Sequence, residues 1–165
     1  MNITLHTLST FPQQLEAQFR AIPERYWQWI PDSWDGVPSE SLNALEQICH
    51  VRDIEIDGYQ LRFRRLLQED HPLLLSIDTY QLITERDYAH ANPSSVFAAI
   101  HEARAHTVKM LAELTPLQWV RAGSFEGYGE VTVQGLAHFL CSHDQQHLAG
   151  LQWLRGKMAE PNRYA

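Results

Sequence analysis

His143 and His147 stand one helical turn apart in the segment CSHDQQH, and imidazoles at that spacing can converge on a single ion. Positions four apart differ by about 40° around an α-helix, so both rings leave from one face. Leu136, Leu140, His143, His147, Gly150 and Leu154 follow alternating steps of four and three, the stripe that a bundle helix turns inward. Two imidazoles therefore occupy positions where the pattern asks for apolar side chains. Burying them costs free energy unless their nitrogens find partners. One solution is a hydrogen bond from each ring to a carbonyl or a side chain. The other is a shared metal ion, and two inward histidines on one stripe favour the metal.

Such an ion needs a third ligand. His50 lies in EQICHVRD, at the edge of another apolar stripe and on the same side as Glu46 and Asp53. His50, His143 and His147 would give three protein ligands and leave a position open for water or substrate, as in catalytic zinc sites. Glu46 and Asp53 are candidates to orient the His50 ring, although a plain charged face explains Asp53 better. A structural site would instead be closed by a fourth protein ligand, such as Glu46 or Asp144.

The remaining titratable residues fit a site less well. His101 and His106, like His138 and His143, are five apart and diverge by about 140°. His6, His71 and His90 fall in terminal or loop positions. Cys49 reads as a small buried hydrophobe rather than a thiolate, and Cys141 faces away from His143. No Glu-x-x-His pair occurs, which disfavours a di-iron centre. Trp27, Trp29, Trp34 and Tyr128 come from loops that could line the mouth of the site or pack over the bundle end. Arg104 could hold a carboxylate, but a surface arginine is the commoner arrangement.

The elements that must carry these residues read as helices. The first is predicted from about Ser9 to Ile22, with Ser9 or Thr10 as cap and Pro12 in the first turn. A second opens at Ser39 or Ser41 and runs to Leu67. Its stripe is Leu42, Leu45, Cys49, Ile56, Tyr59, Phe63 and Leu66, interrupted at Arg52. Asp78 could cap a shorter helix through Tyr88. Asn92-Pro93 opens the third main helix, with Val96, Ile100, Ala103, Thr107, Met110 and Leu114 inward. Thr132 caps the last, which ends near Gly156, and Pro161 marks a tail of disordered composition. The nearest strand candidate is the short Glu130–Val133 segment, so strand content should be trivial; a sheet of three or more strands would overturn the all-α reading. The expectation is all-α: a four-helix bundle forming one domain over residues 1–165, with its core from about 10 to 156.

Composition agrees. The chain of 165 residues is 44% hydrophobic and 20% charged, with a net charge of −7, which suits a globular domain and argues against nucleic acid as a partner. The basic run Arg62, Arg64 and Arg65 reads as a solvated helix face. There is no secretory signal and no apolar stretch near the roughly 18 residues that span a bilayer. Two cysteines without a CxxC pair suggest a reducing cytoplasm.

The histidine in EQICHVRDIE followed by YGEVTVQGLAHFLCSHDQQHLAGLQWLRG resembles the DinB-like superfamily of metal-binding four-helix bundles. The resemblance spans about Thr10 to Gly156. It implies an up-down-down-up bundle with a mononuclear site, commonly zinc or nickel, held by His50, His143 and His147. It also implies a tendency to dimerise and a range of activities, including transferases and isomerases that use bacillithiol, mycothiol or glutathione, and metal-dependent hydrolases. The expected function is thus a Zn²⁺- or Ni²⁺-dependent thiol transferase or hydrolase acting on a small molecule, with or without a low-molecular-weight thiol. The protein would be a cytoplasmic homodimer. The alternative is a non-catalytic bundle that binds metal or a partner, in a stress response for example.

Overall fold

The computed structural model describes residues 2–159, so the tail at Pro161 lies outside the described residues. The chain is mostly helical: α1 (Asn2–Arg20), α2 (Ala44–Asp53), a π-helical segment (Ile54–Tyr59), α3 (Gln60–Gln68), α4 (Thr79–Glu85), α5 (Pro93–Ala112), α6 (Pro116–Trp119) and α7 (Val133–Met158). Four long bodies make the bundle, because α2, the π-helical segment and α3 are continuous. Among the described residues no helix is long and apolar enough to cross a membrane.

α1 starts well before Ser9. The dipeptide Ser9-Thr10 ahead of Pro12 looks like a cap with proline in the first turn, yet Pro12 lies inside the helix. Leu8, Phe11, Leu15 and Phe19 form one buried stripe, and burying Leu8 extends the helix back past the apparent cap. The hydroxyls of Ser9 and Thr10 bond the His6 carbonyl instead, as such side chains do inside helices.

The second body begins at Asn43, not at Ser39 or Ser41. Asn43 Oδ1 accepts the Glu46 N–H at 3.0 Å and the Glu46 carboxylate accepts the Asn43 N–H at 2.8 Å, a reciprocal capping box. Further on, the Gln60 N–H bonds the Glu55 carbonyl, a five-residue step that inserts one extra residue. That insertion breaks the stripe read from the sequence. Ile56, expected inside, is 37% exposed, while Glu55 is buried. The remaining caps follow the sequence: Asp78 for α4, Asn92 for α5 and Thr132 for α7.

The expectation of trivial strand content is corrected, and with it the strictly all-α reading, although the chain is mostly helical. A three-stranded sheet of β1 (Leu73–Leu74), β2 (Ala122–Phe125) and β3 (Gly129–Thr132) joins the end of the bundle. β1 pairs parallel to β2 and β2 antiparallel to β3. The hairpin between β2 and β3 turns at Gly127 and Gly129, both at positive φ, where a side chain would be strained. β1 is two residues long beside Pro72, and β2 (AGSF) has little alternation, so neither carries a periodic signal.

Packing places α1 against α5 and α7, and α2 against the same two helices, so α1 and α2 face each other across the bundle. Two apolar cores result. One gathers Phe11 to Ile22, α2, the start of α5 and Leu148 to Leu154; the other gathers Leu8, the stretch from Ile54 to Leu66, the sheet and Val133 to Leu140. Along α7, His143, Asp144 and His147 fall between them, in a buried polar layer.

Candidate functional site

Each element brings one part of that layer. His50 comes from α2, one turn before the π-helical segment; His143 and His147 come from the middle of α7. His50 and His147 are buried, and His143 is half-buried with its Nδ1 sealed from solvent. His143 Nε2 lies 3.1 Å from His50 Nε2 and 3.1 Å from His147 Nε2. The structure brings the three expected residues, His50, His143 and His147, together.

Glu40 completes the group and was not anticipated. Its two carboxylate oxygens lie 3.6 Å from His50 Nε2 and 3.5 Å from His147 Nε2. One ligand atom from each of Glu40, His50, His143 and His147 lies within 4.8 Å of every other, so these side chains could hold a metal ion. Glu40 sits in the loop before α2, outside any helical period, and nothing local in the sequence points to it.

Gln47 orients the cluster. His147 Nδ1 donates to Gln47 Oε1. The Gln47 amide nitrogen donates to Ser39 Oγ at 2.8 Å, which fixes the amide so that its oxygen faces the ring. With Nδ1 carrying the proton, His147 Nε2 presents a lone pair to the centre. Gly150 makes room for this link: a Cβ there would stand 2.5 Å from Ser39 Oγ and 2.6 Å from Gln47 Nε2.

The expected orienting acids act elsewhere. Glu46 is spent on its cap. Asp53, read from sequence as a surface charge, is buried and accepts from Arg52, from Tyr88 Oη at 2.7 Å and from Arg86 at 2.9 Å. Burial opposes its charge, but these partners outweigh it and hold its pKa low. Arg104, expected at the surface, is buried between Glu55 and Asp144. Asp144 is thereby engaged and is no fourth ligand. Burial pushes its carboxyl up to about 7 against the pull of Arg104.

Burial lowers the pKa of His50, and lowers those of His143 and His147 well below the usual imidazole value; neighbouring imidazoles add to the effect for the latter two. All three are therefore neutral near pH 7, the state that can ligate. Burial pushes the Cys49 thiol up to about 12 and the Cys141 thiol up to about 11, so neither is a thiolate.

A cleft of about 110 Å³ reaches the cluster and is bordered by Glu40, His50 and His143 together with Tyr59, Phe125 and Tyr128. The sheet supplies Phe125, and its hairpin supplies Tyr128. Of the four loop aromatics singled out from sequence, Tyr128 borders this cleft. Trp27 and Trp29 pack against the first core, and Trp34 stacks on Trp153 at 5.8 Å.

The family model described as the DinB superfamily matches residues 7–151. Among solved structures, the chain is similar to YfiT from Bacillus subtilis, described as a probable metal-dependent hydrolase with an unusual four-helix bundle topology. The TM-score is 0.82 at 18% identity, covering 97% of this chain and 88% of that one. At that identity the likeness shows the fold. No curated protein sequence matches the chain.

Proposed function

The chain belongs to the DinB superfamily, and from that premise we propose that His50, His143 and His147 hold one divalent ion, Zn²⁺ or Ni²⁺, in a hydrolase of small molecules. The observation that carries this reading is the distance from His143 Nε2 to the Nε2 atoms of His50 and His147. Nitrogens bound at about 2.0–2.1 Å to one zinc ion are roughly 2.8–3.4 Å apart at right-angled to tetrahedral geometry, and His143 Nε2 lies 3.1 Å from each of the other two. Three neutral imidazoles suit zinc or nickel more than a hard cation. The up-down-down-up helix order of the family belongs to the same proposal.

A divalent ion held by His50, His143 and His147 would lower the pKa of a bound water or thiol. The chain's own residues do the rest. Gln47 keeps the His147 lone pair aimed at the centre. Glu40, partly exposed and bordering the cleft, accepts the proton that the nucleophile gives up. Tyr59 and Phe125 wall the cleft against bulk water. Hydrolysis is preferred because the YfiT structure is described as a probable hydrolase, an argument by fold analogy; transfer to a low-molecular-weight thiol would use the same centre.

A second reading has a specific basis. Glu40 lies near enough to both His50 and His147 to serve as a fourth ligand, which would make the site closed and structural. The test of the shared premise is zinc and nickel titration of the wild type and of His50→Ala, His143→Ala and His147→Ala. Each replacement is expected to lower affinity by more than the about 10–100-fold seen for outer partners. Unchanged affinity in any two of them overturns the triad.

A further inference from the structure

Two arginines are buried among the described residues, and they differ in company. Arg104 is matched by Glu55 and Asp144. Arg62, 6% exposed, has no carboxylate within ion-pair distance among the described residues. Its Nε and Nη2 both donate to the Leu75 carbonyl, at 3.2 and 2.8 Å. Its guanidinium lies over the rings of Phe125 and Tyr59, with centroids 4.6 and 5.6 Å away. Nη1 has no acceptor among the described residues. It lies against Gly58, where a Cβ would approach to 2.9 Å.

A buried cation faced by one neutral carbonyl and two π faces is poorly compensated. Burial accordingly pulls its pKa below the ordinary guanidinium value. Yet the group is firmly placed, by the forked bond to Leu75, the two rings and the absence of a side chain at Gly58. A planar donor held in this way suits carboxylate or phosphate oxygens. Arg62 borders the same cleft as His50, His143 and Glu40. The Glu40 carboxylate turns towards His50 and His147. The rest of the lining joins Tyr59, Phe125 and Tyr128 to Ile54, Ile77, Ser76 and Thr79; Phe125 and Tyr128 stack at 4.6 Å, and Tyr128 is 63% exposed.

We infer that Arg62 holds an anionic oxygen group, carboxylate or phosphate, of a substrate whose apolar body lies along Phe125 and Tyr128. This deepens the proposed function and rests on it for the position of the reacting bond over the histidines; the anion site itself rests on Arg62 and the cleft.

The test is calorimetric titration of benzoate, phenylphosphonate and uncharged benzamide into the full chain, both zinc-loaded and stripped by chelator. The same titrations follow for Arg62→Gln and Arg62→Lys, with circular dichroism to confirm folding. In the stripped wild type at least one anion should bind about tenfold or more tighter than benzamide, and the tighter of the two identifies the source. Arg62→Gln should abolish the preference, and Arg62→Lys should keep part of it. Equal binding of all three probes, or of none, by the stripped wild type overturns the inference, and this comparison decides even if Arg62→Gln does not fold. A preference that survives Arg62→Gln overturns it too. A preference seen only with zinc places the anion on the ion and overturns it likewise. A chain that takes up no zinc yet keeps the Arg62-dependent preference removes the metal reading and leaves this one standing.

Discussion

Pro12 and Arg104 complete one hydrogen-bonding position between them. Pro12 has no N–H to offer the Leu8 carbonyl four residues back, and Arg104 Nη1 donates to that carbonyl at 3.0 Å. The same guanidinium bonds Glu55 in the π-helical segment at 2.7 Å and Asp144 in α7 at 2.7 Å. One side chain on α5 thus ties together all four long bodies of the bundle, at the level of the histidines. Glu55 is satisfied on its other side by Thr107 Oγ1 at 2.6 Å.

Arg104→Met should therefore be costly. Removing one partner leaves buried carboxylates uncompensated, typically about 3–5 kcal/mol. Asp144, with its pKa already near 7, can take up a proton, so the lower half of that range is expected. Urea unfolding at pH 7.5 measures it, and a loss below about 1 kcal/mol would show that the network contributes little.

Gln47→Leu keeps the volume of the side chain and removes the acceptor of the His147 Nδ1 proton. Zinc affinity should fall by about 10–100-fold with helix content unchanged. Equal affinity in the variant would mean that the ring is oriented by packing alone.

Glu40→Gln separates a proton acceptor from a ligand. If Glu40 acts as the base, zinc affinity should change by less than about tenfold while turnover of any hydrolysed substrate falls by about 10²–10⁴-fold. A collapse of zinc affinity in parallel with that of His147→Ala would instead favour the closed, structural site.

The metal-free protein should lose stability in mild acid. His143 and His147 have folded-state pKa values held well below 6.5 by burial, whereas the unfolded chain takes up protons near 6.5. The unfolded state then binds more protons, so stability rises with pH. The contribution is complete above about pH 6.5–7 and is lost as pH falls from there towards the folded values, at up to about 1.4 kcal/mol per unit for each ring. Urea midpoints of chelator-treated protein at pH 7.5, 6.5 and 5.5 test this; midpoints that do not fall with acid would argue that the rings are solvated.

The helices and the histidines were legible because both depend on period. A seam of threes and fours on α7 marks His143 and His147 as inward whatever the rest of the chain does. Caps such as Asn92 and Thr132 are local chemistry, readable within four residues. What escaped is set by tertiary structure. Arg104 and Asp53 look like surface charges until their partners, 40 and 35 residues away in sequence, are known. Arg62 looked solvated within a basic run, though it is buried and only Arg64 and Arg65 follow the expected pattern of an outer face. Glu40 and Gln47 reach the site from a loop and from the first turns of α2, where no repeat announces them. The sheet is too short to alternate.

The extra residue in the π-helical segment has a consequence for how this chain can change. It lies between His50 and Arg62, so it sets the angle at which the two side chains leave a single continuous helix. Deleting one residue from Ile54–Tyr59 would close the bulge and leave everything beyond it in its present phase, whereas winding the same residues into an ordinary α-helix would rotate everything beyond by about 100° relative to His50. Ile56 would be carried inward, and Tyr59 and Arg62 away from the cleft. The bulge is thus what keeps Arg62 on the side of the helix that His50 occupies.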